Sequence, residues 1–322
     1  MRRLLLREHA GLCCHAVEQF VIAANRFGKT ELERFNRERM ADRHFLNVAA
    51  GREELLEIFK RQVVTGIDAE RKLIASLRQT RYRREHSLFV IEGTRGVLDT
   101  LGVFPTAMLV ATPAWLDANA SRLESLTAPL LTASERDMAR MSLQKTPQGV
   151  LAVCHIPAVE GDFHPDPRNL VIALDCIQDP GNLGTIIRLA DWFGVSTILA
   201  STDTADVYNP KVVQSTMGAL ARVEVRYVDL PAELRRLAGA GMPVYGTFLD
   251  GSDIYCSTLT EGGVVVMGNE GNGISPEVER CVSSRLLIPS FPPGRQKVES
   301  LNVATATAIV LSEFRRRALP GT

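Results

Sequence analysis

Three short stretches of this chain combine residue types that could do chemistry. The first reads Asp179-Pro180-Gly181-Asn182-Leu183-Gly184-Thr185-Ile186-Ile187-Arg188. Pro180 and Gly181 turn the chain, and Asn182 suits the cap of a following helix. Arg188, in the first turns of that helix, could pair with a phosphate or hold a ribose hydroxyl. It could equally be a surface arginine beside Asp191. The second stretch, Gly268-Asn269-Glu270-Gly271-Asn272-Gly273, has three glycines in six residues, which lets backbone approach a ligand closely. No Lys-Ser/Thr follows it and it opens no long helix, so it is neither a P-loop nor a dinucleotide fingerprint. Glu270 is either an exposed loop acid or a group that organises a site. In the third stretch, Ile288-Pro289 precedes Ser300-Leu301-Asn302-Val303. Ser300 is a natural N-cap, which accounts for it without catalysis. Asn302 has no such account, because asparagine is a poor helix former inside a first turn.

The elements that must position these stretches form a regular alternation. Apolar runs at Leu170–Leu174, Thr197–Ala200, Val223–Val228, Val244–Thr247, Val264–Met267 and Leu286–Ile288 predict strands, with helical patterns between several of them. A long final helix is expected over Ser300–Arg317. Such alternation predicts a parallel sheet covered on both faces, with ligands at the carboxyl ends of its strands. Upstream, strands are expected at Leu88–Ile91, Ala107–Ala111 and Gly149–Cys154, with a helix over Thr94–Leu101. Pro157, Gly161, Pro165 and Pro167 mark a linker. Residues 1 to about 66 carry apolar residues at helical spacing. The expected organisation is a helical extension over 1–66, a small α/β domain over 67–160 and an α/β domain over 167–322.

Taken together and in order, the three stretches resemble the motifs of SpoU/TrmH-type RNA methyltransferases, of the SPOUT superfamily. The matching residues are Asn182/Gly184/Arg188, Gly268/Glu270/Gly271, and Ile288-Pro289 with Ser300-Leu301-Asn302-Val303, and Asn209 to Ala219 is a further family-like run. The resemblance covers about Leu170 to Phe314. It implies an α/β fold whose parallel-sheet C-terminal domain threads a trefoil knot, and a homodimer with the active site near the interface. It also implies methylation of an RNA ribose 2′-hydroxyl by S-adenosylmethionine. On the matching positions, it makes Arg188, Asn182, Glu270, Ser300 and Asn302 the catalytic candidates. Thr247, Gly268, Ile288 and Leu301 become the cofactor-binding candidates. The family gives Arg188's position the part of a base. An arginine pKa above twelve makes orientation and stabilisation of a developing alkoxide the physically sounder role. Ser290 stands where the family often has Met, the segment from Pro289 to Ser300 is longer than common, and Gln214 replaces a frequent Arg.

Arg81-Tyr82-Arg83-Arg84, Leu88-Phe89-Val90-Ile91-Glu92-Gly93 and Thr146-Pro147-Gln148-Gly149-Val150 resemble the ribosomal-protein-like substrate-binding domain often fused to this family. That implies RNA contacts by Arg81, Arg83, Arg84 and Arg188, and favours ribosomal over transfer RNA. Charge agrees: Arg71 to Arg95 holds seven Lys/Arg against two acids, although the 322-residue chain balances 37 basic with 37 acidic residues. The six cysteines show no metal spacing, and all six histidines lie at or before His164, so no metal is expected. No apolar run is long enough to span a membrane, and Arg7, Glu8 and His9 end the opening leucines too early for a signal peptide. The expected location is the cytoplasm. Two rivals remain: a non-catalytic RNA-binding assembly factor that kept the fold, and a nucleotide-dependent α/β enzyme using the Gly268–Gly273 loop.

Overall fold

A computed structural model describes residues 69–123, 126–144, 146–158, 161–292 and 300–319. The chain divides into two units, Met1–Gly66 and Ile67–Thr322. The helical extension expected over 1–66 lies outside the described residues, and everything below concerns the second unit.

The apolar runs of the C-terminal half become strands because they can be buried on both faces. β5 (Leu170–Leu174) and β9 (Gly263–Met267) are buried at every position and lie side by side in parallel register, Leu170 opposite Gly263 through Leu174 opposite Met267. Their alternate residues serve two cores. Leu170, Ile172 and Leu174 point into one, and Val171 and Ala173 into the other. With β6 (Thr197–Ser201), β7 (Glu224–Val228), β8 (Val244–Asp253) and β10 (Ser284–Leu287), they form a six-stranded parallel sheet, ordered β10-β8-β9-β5-β6-β7. This is the parallel-sheet α/β fold expected from the alternation.

Its helices begin with residues that satisfy free backbone N–H groups. In the upstream half the helices are α1 (Thr80–His86), α2 (Thr94–Thr100), α3 (Pro113–Asn119) and α4 (Glu135–Met141). The C-terminal half has α5 (Pro180–Trp192), α6 (Pro210–Thr216), α7 (Leu230–Gly239), α8 (Pro276–Glu279) and α9 (Val303–Ala318). Asp179 caps α5, Asn209 caps α6 and Asp229 caps α7, each followed by an early proline that needs no N–H partner. The final helix begins three residues later than expected, because Asn302 and not Ser300 is its N-cap. β8 runs six residues beyond its expected end, and its pairing with β10 jumps from Arg285↔Gly246 to Leu286↔Ser252.

Upstream, β1 (Leu88–Glu92), β2 (Thr106–Ala111), β3 (Leu130–Thr132) and β4 (Val150–His155) form a mixed sheet ordered β1-β4-β2-β3. The three-residue β3 and the helix α4 were not legible in the sequence. The two sheets share one buried cluster in which Phe89, Val97 and Phe104 join Leu170, Ile172 and Val207. Phe89 packs on Tyr208 at a ring separation of 4.6 Å.

Arg83 corrects an expectation. It was a candidate for RNA contact, but it is 1 % exposed. Its Nε and Nη2 donate to Asp206 at 3.1 and 2.5 Å, and its Nη1 donates to the Leu77 and Arg78 carbonyls at 2.7 and 2.8 Å. A guanidinium so committed ties the upstream helix to the loop after β6 and has no donor facing solvent for a phosphate. Arg81 and Arg84, on the same helix, are exposed.

Candidate active site

The first loop is set by Asp179. Its carboxylate accepts from the Asn182 N–H at 2.9 Å, and that bond, helped by Lys211, holds the carboxyl below its ordinary pKa. Asp179, not Asn182, is therefore the cap of α5, and the Asn182 amide is left for other work. Its Nδ2 donates to Glu270 Oε1 at 2.8 Å, and its Oδ1 accepts from Asn302 Nδ2 at 2.9 Å. One residue from each of the three chemistry-bearing stretches thus joins a single chain, Glu270–Asn182–Asn302.

The direction of that chain is forced. Asn302 Oδ1 accepts from the Ala304 and Thr305 N–H groups at 3.0 and 3.2 Å, so only its NH₂ can face Asn182. Asn182 must then offer its oxygen to Asn302 and its NH₂ to Glu270 Oε1, which accepts. Asn302 is thus both the N-cap of α9 and a member of the site, which resolves its unexplained place in the sequence. Ser300 is exposed and makes no hydrogen bond among the described residues.

Asn269 and Asp175, which sequence reasoning missed, shape the second loop. Asn269 Nδ2 donates to the Cys176 carbonyl at 2.7 Å, while its Oδ1 accepts from the Gly271 and Asn272 N–H groups at 2.9 and 3.0 Å. Asp175, 5 % exposed, accepts from the Ser275 N–H at 2.6 Å. The available signals were an Asn-x-Gly turn and an acid directly after a fully apolar strand. Gly268 also has a packing part. A Cβ there would lie 2.3 Å from Gly273 C and 2.4 Å from Ile274 N, so the missing side chain makes room for the loop's own return. Gly268 can reach a ligand only through its backbone groups. Gly184 is likewise a packing residue, since a Cβ would sit 2.4 Å from Ser215 Cβ on α6.

Arg188 lies six residues beyond Asn182, about 9 Å farther along the helix axis. It is exposed and makes no hydrogen bond or ion pair among the described residues. The bland alternative, a pair with Asp191, is removed. Arg222 takes both Asp191 oxygens at 2.8 Å.

Gly268 and Ile288 stand just past the carboxyl ends of β9 and β10, and Leu301 just before α9. Thr247, expected at a strand end, lies inside β8, one residue past the last that pairs with β9. The fit to S-adenosylmethionine can be tested on the backbone. β8 pairs with β9 only through Gly246, and five residues, 247–251, fall in the register break against β10. These residues have no register partner in either ladder; Ile288 is half-buried and Leu301 is 48 % exposed. Backbone groups outside the ladders suit an adenine held without a charged partner. Thr247 itself donates through Oγ1 to the Val266 carbonyl at 3.4 Å. Residues 293–299, which join Ile288 to Leu301 in sequence, lie outside the described residues. Among the described residues, no cluster of His, Cys, Asp and Glu could hold a metal ion.

Comparison with known proteins agrees with this geometry. Residues 169–312 match the SpoU rRNA Methylase family, and residues 70–152 match the MRM3-like substrate binding domain. The 23S rRNA (guanosine(2553)-2′-O)-methyltransferase RlmP of Bacillus subtilis is 33 % identical over 183 residues, covering 56 % of this chain and 71 % of that protein. The solved structure of a putative RNA methyltransferase of the TrmH family from Porphyromonas gingivalis is 42 % identical, covering 77 % of this chain and 97 % of that one, with a TM-score of 0.67. The AdoMet-bound rRNA methyltransferase from Sinorhizobium meliloti is 30 % identical over 77 % and 95 % of the two chains, with a TM-score of 0.69. With one residue of each motif stretch joined in a single hydrogen-bonded chain and both parts of the fold matched, this chain belongs to the SpoU rRNA methylase family.

Proposed function

We propose that the protein methylates a ribose 2′-hydroxyl in ribosomal RNA, with S-adenosylmethionine as methyl donor. The observation that carries this is the Glu270–Asn182–Asn302 chain, with an unpaired Arg188 on the same helix as Asn182. The bound cofactor supplies the methyl group and the leaving thioether. The chain's own residues must place the hydroxyl and ease the loss of its proton. Arg188 has its donors free for a ribose oxygen or an adjacent phosphate, and its charge stabilises the oxygen as the proton leaves. Asn182, Glu270 and Asn302 fix the wall of the pocket, and Ser300, exposed just before Asn302, is free to contact RNA. Thr247, Gly268, Ile288 and Leu301 line the cofactor, Gly268 through backbone.

The finer organisation follows the same reading. The boundaries are 1–66, 67–160 and 167–322, the C-terminal segment threads a trefoil knot, and the protein works in the cytoplasm. It acts as a homodimer. Trp192, 83 % exposed, shares one stripe of α5 with Thr185 and Arg188, which supports an interface close to the reacting group. Arg81 and Arg84 contact the RNA backbone.

The test is Arg188→Ala. Cofactor affinity and thermal stability should stay near wild type, while the single-turnover rate on ribosomal RNA falls at least about a hundredfold. Arg188→Lys should restore little, because an ammonium lacks the planar fork. Wild-type turnover by the alanine variant would end the catalytic role of Arg188.

A further inference from the structure

A cleft of about 330 Å³ runs between the upstream sheet and α6. Val90, Leu143 and Val213 give it an apolar floor. Two amides stand on its wall, and they are not used up by the fold. Gln144 donates through Nε2 to the Glu92 carbonyl at 3.3 Å, which leaves its oxygen free to accept. The Gln214 side chain is exposed and makes no hydrogen bond among the described residues. The lining also holds Asn209, whose oxygen caps α6, the Glu92 carboxylate, which accepts from Ser142 Oγ and the Leu143 N–H, and two cations. Arg78 donates from Nη2 to the Ser142 carbonyl at 2.6 Å and keeps its other donors. Lys211 reaches to 3.6 Å from Asp179, the residue that caps α5 one turn ahead of Asn182.

An apolar floor for a flat ring, free amides for its edge and cations for a phosphate are the groups that recognise a single unpaired nucleotide. Its neighbour, Lys211, ties the cleft to the start of the helix that carries Asn182 and Arg188. A paired helix would not enter a cleft of this size; one splayed nucleotide would. We infer that this cleft is a second nucleotide subsite, which takes one unpaired nucleotide of the RNA beside the one that is methylated and reads its base through Gln144 and Gln214. The inference rests on the methyltransferase reading above. It makes Gln214 a residue that selects sequence rather than one that binds backbone.

The experiment uses the full chain and an unmodified large-subunit ribosomal RNA transcript, with saturating S-adenosylmethionine. Gln214→Ala and Gln144→Ala should each raise KM for the transcript about tenfold or more, with kcat, cofactor affinity and thermal stability unchanged. The same transcript carrying 4-thiouridine should crosslink to peptides holding Leu143–Gln144 or Lys211–Gln214. If wild type methylates the transcript but both variants keep its KM within twofold and crosslinks fall elsewhere, the subsite is wrong and the function stands. If wild type binds no cofactor and transfers no methyl group, the function itself fails. Tight binding of free mononucleotides that leaves transcript methylation uninhibited would also overturn the subsite, by making it a small-molecule pocket.

Discussion

At the scale of single residues, the site is an arrangement of amides whose orientation is dictated by one helix end. The α9 N-cap uses the Asn302 oxygen, and every donor and acceptor downstream follows from that. Asn182→Asp should therefore do more than remove a hydrogen bond. It sets a carboxylate against Glu270 where a donor stood, and methyl transfer and stability should both drop. Adding Glu270→Gln supplies a donor again and should recover part of the loss. The double-mutant cycle should show a coupling of about 0.5–3 kcal/mol, measured by denaturant unfolding. Strict additivity would mean the contact carries no energy. The motif residues were legible in the sequence as types and spacings. Their roles were less so. Asn182 looked like a cap and is not, Ser300 looked like a cap and is not, and Asn302 looked unexplained and is the cap. Which of several candidate side chains wins a helix end depends on where the preceding chain enters, and the local sequence does not hold that information. Asp175 and Asn269 were missed because each acts on backbone supplied by a distant loop.

At the scale of elements, strand cores were the most legible feature, because β5 and β9 must be apolar at every position. Short elements with little burial of their own, such as β3, were not. The end of α9 shows how a helix fastens to its surroundings. Arg317 donates to the Ile254 and Tyr255 carbonyls at 2.8 and 3.0 Å, and Glu313 accepts from both Arg316 and Arg317. Hydrogen bonds from Arg316, then from Arg317, hold the Glu313 carboxyl at about 2, down from 4.5. A carboxyl with a depressed folded pKa stabilises the fold fully above its unfolded pKa, and the contribution fades as pH falls toward the folded value. Glu313→Gln should thus destabilise the protein at neutral pH, and the gap to wild type should close between about pH 4.5 and 2. Unfolding curves of both proteins across that range measure it. A gap constant with pH would assign the effect to packing instead.

At the scale of the whole unit, the proline-marked linker suggested separable domains, and the structure joins them. The shared apolar cluster and the buried Arg83–Asp206 pair cross from one sheet to the other. Asp206→Asn would leave the Arg83 charge buried with less compensation. Removing one partner of a buried pair costs about 3–5 kcal/mol, and Asp206, 24 % exposed, places this case toward the lower end. Arg83→Met with Asp206→Leu should recover most of that loss, because an apolar pair needs no desolvation. Chemical denaturation of the single and double variants decides it. A double variant as unstable as Asp206→Asn would mean that the geometry of the pair, and not its charge balance, is what matters. For the same reason, residues 167–322 alone would expose apolar surface that Phe89 and its neighbours cover, so an isolated catalytic half is a poor reagent.

The order of strands also sets a timetable for synthesis. β5 lies in the middle of the sheet, yet its partner on one side, β9, begins 89 residues after β5 ends. At about 5–20 residues per second, a growing chain holds that edge open for roughly 4–18 s before the strand that closes it is made. During that interval β5, β6 and β7 can pair among themselves while the Leu170–Leu174 edge stays available to other chains. Ribosome-arrested chains that display residues up to about 260 should therefore be cut by protease within the β5–β7 region. Chains arrested on a tail beyond residue 322 should resist. Equal resistance of the two would show that the half-sheet closes its edge by another route. A fold that reads in sequence as a simple alternation of strand and helix is, for the cell, one whose central seam is completed late and near its end.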